Sequence, residues 1–192
     1  MPLRRAVLLV AALVATAATA SACTDVNGTN GKNFVTSDGV VIEYPAADRG
    51  DAVDISGESL TGDGVDVADW RGDVVVLNVW GAWCTECIAE APTLVAAAGE
   101  LPAGTHLLGI DVRDLGKDSP LAFERRFAIP YPSLYDTGSE SLLQFPAPFT
   151  PRDIPSTVVL DREGRVAALV RGALPSKLTL VELVQKVADE RG

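Results

Sequence analysis

The run Val74-Val75-Val76-Leu77-Asn78-Val79-Trp80 constrains the fold more than any other feature of the chain. It is near-continuously apolar, the pattern of a strand covered on both faces. Such a strand demands further layers above and below its sheet. The segments that follow agree with this. Thr85 to Ala98 sets Ile88, Ala91, Leu94, Val95 and Ala98 at helical spacing, with Gly99 as a C-terminal stop. Residues 106–112 read as the next strand. Ser119-Pro120 predicts a helix start, with Ser as N-cap and Pro in the first turn, running to Phe127. Residues 133–135 read as a short strand and 139–145 as a short helix. Residues 156–160 and 165–170 flank Asp161-Arg162-Glu163-Gly164, a hairpin turn. Pro175-Ser176 opens a final amphipathic helix carrying Leu178, Leu180, Val181, Leu183, Val184 and Val187. The order β-α-β-α-β, then a hairpin and a closing helix, specifies an α/β fold with a mixed sheet.

The first 50 residues read differently. Arg4 and Arg5 precede an uncharged apolar stretch from Ala6, which passes into small residues up to Ala22. A charged n-region, a short h-region and small residues at a cleavage site make a secretory signal, assigned to residues 1–22. A retained membrane span needs about 20 mainly apolar residues. Ala6 to Ala22 offers 17, weakened by Thr16, Thr19 and Ser21. Loss of residues 1–22 would remove Arg4 and Arg5 and no acid, taking the formal charge from −10 to −12. A surface so acidic repels nucleic acid and anionic headgroups, and no nucleic-acid partner is expected. Residues 23–50 are polar and rich in Gly and Asn, with one apolar patch at Val40-Val41-Ile42. They read as a tether ending in an edge strand, with a coil span on the order of 30 Å. The folded domain is assigned to residues 51–192.

Cysteine usage narrows the chemistry. With three cysteines and one histidine, His106, the chain cannot build a four-thiolate zinc site, and the spacing fits no compact zinc module. No metal or other cofactor is expected. Cys84-Thr85-Glu86-Cys87 falls where the buried strand turns into a helix, directly after Trp80-Gly81-Ala82-Trp83. Unpaired backbone N–H groups and the macrodipole at a helix N-terminus favour a thiolate at Cys84. The first turn also brings the two side chains within bonding reach, so a redox-active Cys84–Cys87 disulfide is expected. Cys84 is predicted to be the exposed attacking sulfur, and Cys87 the more buried resolving one. The competing assignment is a static structural disulfide. A bridge over so short a loop restrains the unfolded chain little, which makes stability a poor reason for it.

Residues 74–87, then Glu90-Ala91-Pro92, and later Ile154-Pro155-Ser156-Thr157-Val158-Val159-Leu160-Asp161-Arg162-Glu163-Gly164 resemble the thioredoxin superfamily. The resemblance is to its exported TlpA/ResA/CcmG (DsbE)-like branch, and it runs from about Ile55 to the C-terminus with the two motifs about 70 residues apart. It implies a thioredoxin fold, a mixed central sheet flanked by helices, with an N-terminal β extension. Residues 112–136 resemble the αβ insertion of this branch. Ala20-Ser21-Ala22-Cys23 resembles the lipobox of bacterial lipoproteins, with Ala20 where a larger aliphatic usually stands. That implies lipidation at Cys23 and firm anchoring through several acyl chains.

The resemblance also implies roles. Pro155 matches a cis-proline beside the cysteines that leaves backbone free to pair with a substrate strand. Glu90 matches an acidic residue near the site. It lies at i+3 from Cys87 on the same helix face, so it is either the resolving thiol's proton acceptor or a solvated helix carboxylate. Pro92 matches a helix-kinking proline. Trp83, Thr85 and Glu86 surround the sulfurs as tuning residues. Glu86 stands where the branch usually has Pro, and a carboxylate beside a thiolate disfavours ionisation. The proline-rich lead Phe145-Pro146-Ala147-Pro148-Phe149-Thr150-Pro151-Arg152-Asp153 is longer than this branch leads one to expect. It reads either as a rigid surface loop or as a stiff, partly apolar lip selecting partners.

The expected activity is thiol–disulfide exchange outside the cytoplasm on exported cysteine-containing proteins, served by a membrane donor or acceptor for dithiols. Reduction, as in cytochrome c maturation, is the inference from the branch. An oxidant that forms disulfides and a non-catalytic binding lipoprotein with a structural disulfide are the alternatives. Location is expected at the cell membrane through the lipid anchor, or secreted or periplasmic after signal cleavage.

Overall fold

The computed structural model describes residues 33–36 and 39–190. The secretory signal assigned to 1–22 and the lipidation site Cys23 lie outside the described residues.

Strand β5 (Val74–Trp80) is buried at all seven positions, and its alternation sorts the core. Val75, Leu77 and Val79 point into one apolar layer with Val53, Ile55 and Val67. Val74 and Val76 point into the other, with Leu94, Leu180 and Val184. Each such side chain contributes about 1.5–3 kcal/mol by leaving water. The predicted double coverage is therefore present, but only one face is covered by long helices. The opposite face is covered largely by residues of the segment 53–67 and by Leu142, Phe145 and Phe149.

The remaining strands are β1 (Asn33–Thr36), β2 (Gly39–Glu43), β3 (Ser56–Glu58), β4 (Gly64–Asp66), β6 (Thr105–Val112), β7 (Ser133–Asp136), β8 (Ser156–Leu160) and β9 (Val166–Arg171). The helices are α1 (Thr85–Ala98), α2 (Asp118–Phe127) and α3 (Lys177–Ala188). Seven strands form one sheet in the order β1-β2-β9-β8-β5-β6-β7, while β3 and β4 pair separately. Strands β5, β6 and β7 run parallel, and β8, β9, β2 and β1 join antiparallel. This is the mixed sheet expected, with the αβ insertion present as α2 and β7.

Several local expectations shift. Helix α2 begins at Asp118 behind Lys117, not behind Ser119, and no side chain caps it. Gly99 ends α1 in right-handed geometry. The predicted short helix near 139–145 is a 3-10 turn over Glu140–Gln144. Leu178 is 55% exposed, because α3 turns that position away from the sheet. The largest change is at the N-terminal side. Val40-Val41-Ile42, expected as an edge strand, lies in β2 and pairs with β9, whereas residues 33–36, read as tether, add a further strand outside it as the other arm of a hairpin. Arg49 then bonds Asp161 and Glu190 with its side chain 2% exposed, so ordered structure begins well before residue 51.

Candidate active site

The cysteine motif sits at the C-terminal end of β5, in the middle of the sheet. Two local devices shape the turn into α1. Gly81 is required by close approach: a Cβ there would run into the Trp83 indole nitrogen and stand 3.0 Å from the Val112 carbonyl. The Trp83 indole N–H donates to that carbonyl at 3.0 Å, and the Ala82 N–H donates to Asp114 at 2.7 Å. The end of β6 and the residues just after it thus fix the loop that presents the sulfurs.

Cys84 is the N-cap of α1, and its Sγ accepts the Cys87 N–H at 3.1 Å. Cys84 and Cys87 form a disulfide with a Cα–Cα distance of 5.2 Å. A donor aimed at Sγ at a helix N-terminus stabilises negative charge there once the bond is reduced. The expectation of an exposed Cys84 is corrected. Cys84 is 5% exposed and Cys87 2%, because the segment before Pro155 covers the bridge. The Ile154 carbonyl oxygen lies 3.8 Å from Cys84 Sγ, and the Ile154–Pro155 bond is cis. Trp83 beside them is 49% exposed, and Thr85 and Glu86 are exposed on the first turn.

Glu90 is brought in from below. It is 3% exposed, which removes its reading as a solvated carboxylate. The Leu174 N–H donates to one oxygen at 2.7 Å and the Asn78 amide to the other at 3.4 Å. Burial pushes the carboxyl up to about 7, against the lowering effect of those two donors. Asn78 and Leu174 escaped sequence reasoning. The available signal for Asn78 was a lone amide inside an otherwise apolar strand. Asp111, at the matching end of β6, is also buried, and burial with neighbouring Asp114, Glu124 and Asp136 pushes it up to about 8.

The proline-rich lead does not build an apolar wall at the site. Phe145 and Phe149 are each 4% exposed and turn into the core, where Phe149 meets the Tyr44 ring at 4.7 Å. What reaches the cysteines from this segment is Arg152, Asp153 and Ile154. They line an open groove of about 670 Å³ with Trp83, Glu86 and Arg171. Another cavity, of about 650 Å³, is lined by Arg49, Asp161, Arg162, Arg165 and Glu190 and holds no nucleophile. His106 lies on β6, where it pairs with Asp73 at 2.9 Å and stacks on Trp70.

Residues 49–169, which contain Cys84, Cys87, Glu90 and Pro155, match the model of the AhpC/TSA family. The chain belongs to that family. Among solved structures it is similar to a secreted thiol-disulfide isomerase of Corynebacterium glutamicum, at 33% identity and a TM-score of 0.71, over 82% of this chain and 97% of that one. A DsbF homologue from Corynebacterium diphtheriae is also 33% identical, with a TM-score of 0.68, over 76% of this chain and 92% of that one. Among curated relatives, the thiol-disulfide oxidoreductase ResA of Bacillus subtilis is 24% identical over 63% of this chain and 65% of its own length. The chain thus spans less than two thirds of that relative. The fold is the thioredoxin fold, in agreement with the resemblance of its motifs.

Proposed function

We propose that this chain is an extracytoplasmic thiol–disulfide oxidoreductase that reduces disulfides in exported proteins through Cys84 and Cys87. The observation that carries the reading is the position of Cys84: an N-cap whose sulfur receives the Cys87 N–H and faces the Ile154 carbonyl.

The reduced dithiol begins the cycle. The Cys84 thiolate attacks one sulfur of a substrate disulfide, and the substrate's other sulfur leaves as a thiolate and takes a proton. Cys87, deprotonated with Glu90 one turn away as acceptor, then attacks Cys84 Sγ and releases the second substrate thiolate. The substrate has gained two electrons, and the protein has become the Cys84–Cys87 disulfide. A carboxyl near 7 is populated in both forms at neutral pH, which is what a group that takes and returns a proton needs. Regeneration calls for a membrane donor of dithiol electrons. Attachment at Cys23 would place the domain beside such a donor, and cytochrome c maturation is the reductive task we assign.

Trapping tests this reading. Cys87→Ser should leave a mixed disulfide at Cys84 that names the substrate, and the substrate should accumulate oxidised in cells lacking the protein. Accumulation of reduced substrate would make the protein an oxidant instead. Reduced Cys84 should also alkylate with iodoacetamide well below pH 8, whereas inertness would leave a binding protein with a structural bridge.

A further inference from the structure

The chain carries 26 acidic residues against 16 lysines and arginines, yet the groove beside the dithiol reverses that balance. Three guanidiniums line it, from Arg113, Arg152 and Arg171, against the two carboxylates of Glu86 and Asp153. The three arginines come from separate places in the fold: the loop after β6, the lead into Pro155, and the end of β9. Their convergence is therefore a product of tertiary structure.

Four arginines elsewhere in the described domain are engaged internally, while Arg125 and Arg126 stand exposed on α2 away from the groove. Arg49 and Arg165 bond Asp161, Arg71 bonds Asp54, and Arg162 donates to the carbonyls of Ala188 and Glu190. Among the described residues, Arg113, Arg152 and Arg171 form no ion pair. The Arg171 Nε is buried without any hydrogen-bond partner, a costly state for a charged donor unless something arrives to accept from it. Arg113 holds φ 63°, a left-handed conformation that Gly or Asn adopts more readily, and its guanidinium stands 6.0 Å from the Trp83 ring. Arg152 is exposed two residues before Ile154, whose carbonyl faces Cys84.

We propose that this groove selects substrate segments that carry carboxylates, Asp or Glu, flanking the cysteine to be exchanged. The inference rests on the oxidoreductase reading and adds its substrate class. The guanidiniums supply bidentate donors for side-chain carboxylates, while Trp83 and the Ile154 carbonyl receive the backbone around the cysteine. The same three guanidiniums repel a basic flank, so the groove discriminates by repulsion as well as attraction, while Glu86 and Asp153 only reduce its positive excess.

The test uses two peptides of equal length with one cysteine, held as a mixed disulfide with 2-mercaptoethanol, flanked by Glu in one and by Gln in the other. Reduced full-length protein should react about tenfold faster with the Glu peptide at low ionic strength, and the ratio should shrink as salt rises. In Arg113→Gln/Arg152→Gln, two exposed positions, the Glu-to-Gln rate ratio should fall toward one. Equal rates in the parent, or a ratio unchanged in the variant, overturns the proposal. Binding is read separately from chemistry, by titrating Ser-for-Cys versions of both peptides and following Trp83 in the NMR spectrum. Preference for the Glu peptide without reduction of any disulfide would keep the groove assignment and overturn the oxidoreductase reading. No preference, or a stronger Trp83 response to phosphatidylglycerol vesicles than to either peptide, would overturn the groove assignment.

Discussion

Two carboxylates flank the resolving cysteine in sequence and do opposite things. Glu90 is buried, and its folded value near 7 stands above the ordinary 4.5. Below 4.5 both the folded and unfolded chains hold the proton. Between 4.5 and 7 the unfolded chain releases it first, so folding stability falls across that window and levels off above it. Glu90→Gln has no proton to release. The Tm of the parent relative to this variant should therefore drop as pH rises from 4.5 to 7, by an amount on the order of 3 kcal/mol in stability. A Tm gap that stays constant across the window would contradict the burial argument. Glu86 is exposed on the first turn of α1, beside the attacking sulfur. Its charge is expected to oppose a thiolate at Cys84, which would make the dithiol a better reductant. Glu86→Gln and Glu86→Pro should both shift the potential toward oxidising in a glutathione equilibrium. No rise in either variant would remove Glu86 from the tuning residues.

At the scale of elements, the joint between β5 and α1 is what makes the motif a site. The loop 81–83 is tied to the end of β6 and the residues after it by the Trp83–Val112 and Ala82–Asp114 bonds, so the sulfurs are held from a neighbouring strand as well as from their own helix. Gly81→Ala introduces a Cβ into the space of the Trp83 indole. We expect a loss of about 1–3 kcal/mol, as for other added methyl groups at packed positions. Thermal melts read that loss, and rising acrylamide quenching of tryptophan fluorescence would report the displaced ring. A variant as stable as the parent, with unchanged quenching, would show that the loop relaxes freely. The same scale explains the fate of the proline-rich lead. Its aromatics fill the face of the sheet that lacks long helices, so only its last residues remain for the groove.

At the scale of the whole molecule, the sheet is wider than the motif-bearing core requires. The β1–β2 hairpin adds to β9, and Arg49 joins Asp161 and Glu190 across chain-distant segments. Removing Arg49 leaves Asp161, 3% exposed, with only part of its compensation. Breaking such a buried pair costs about 3–5 kcal/mol. A chain started at residue 51 should therefore melt roughly 6–12 °C below one started at residue 33, taking about 3 kcal/mol and the usual 2–4 °C per kcal/mol for a domain of this size. Equal melting temperatures would return residues 33–50 to the role of a tether. The polar, Gly-rich composition of this stretch hid β1, since only Val40-Val41-Ile42, in β2, carried an apolar signal.

By itself the sequence determined the layer order, the central strand Val74–Trp80 and the placing of Cys84 and Cys87 at the start of α1. All three are local properties: periodicity, a strand-to-helix junction and a spacing of one helical turn act between neighbours in the chain. Only the tertiary structure decided that Glu90 is buried under Leu174, that Cys84 is covered by Ile154, that Phe145 and Phe149 turn inward, and that three arginines meet beside the disulfide. Those contacts join residues tens of positions apart. Which side of the sheet is filled by which segment is set by packing, and no periodicity within a segment carries that information.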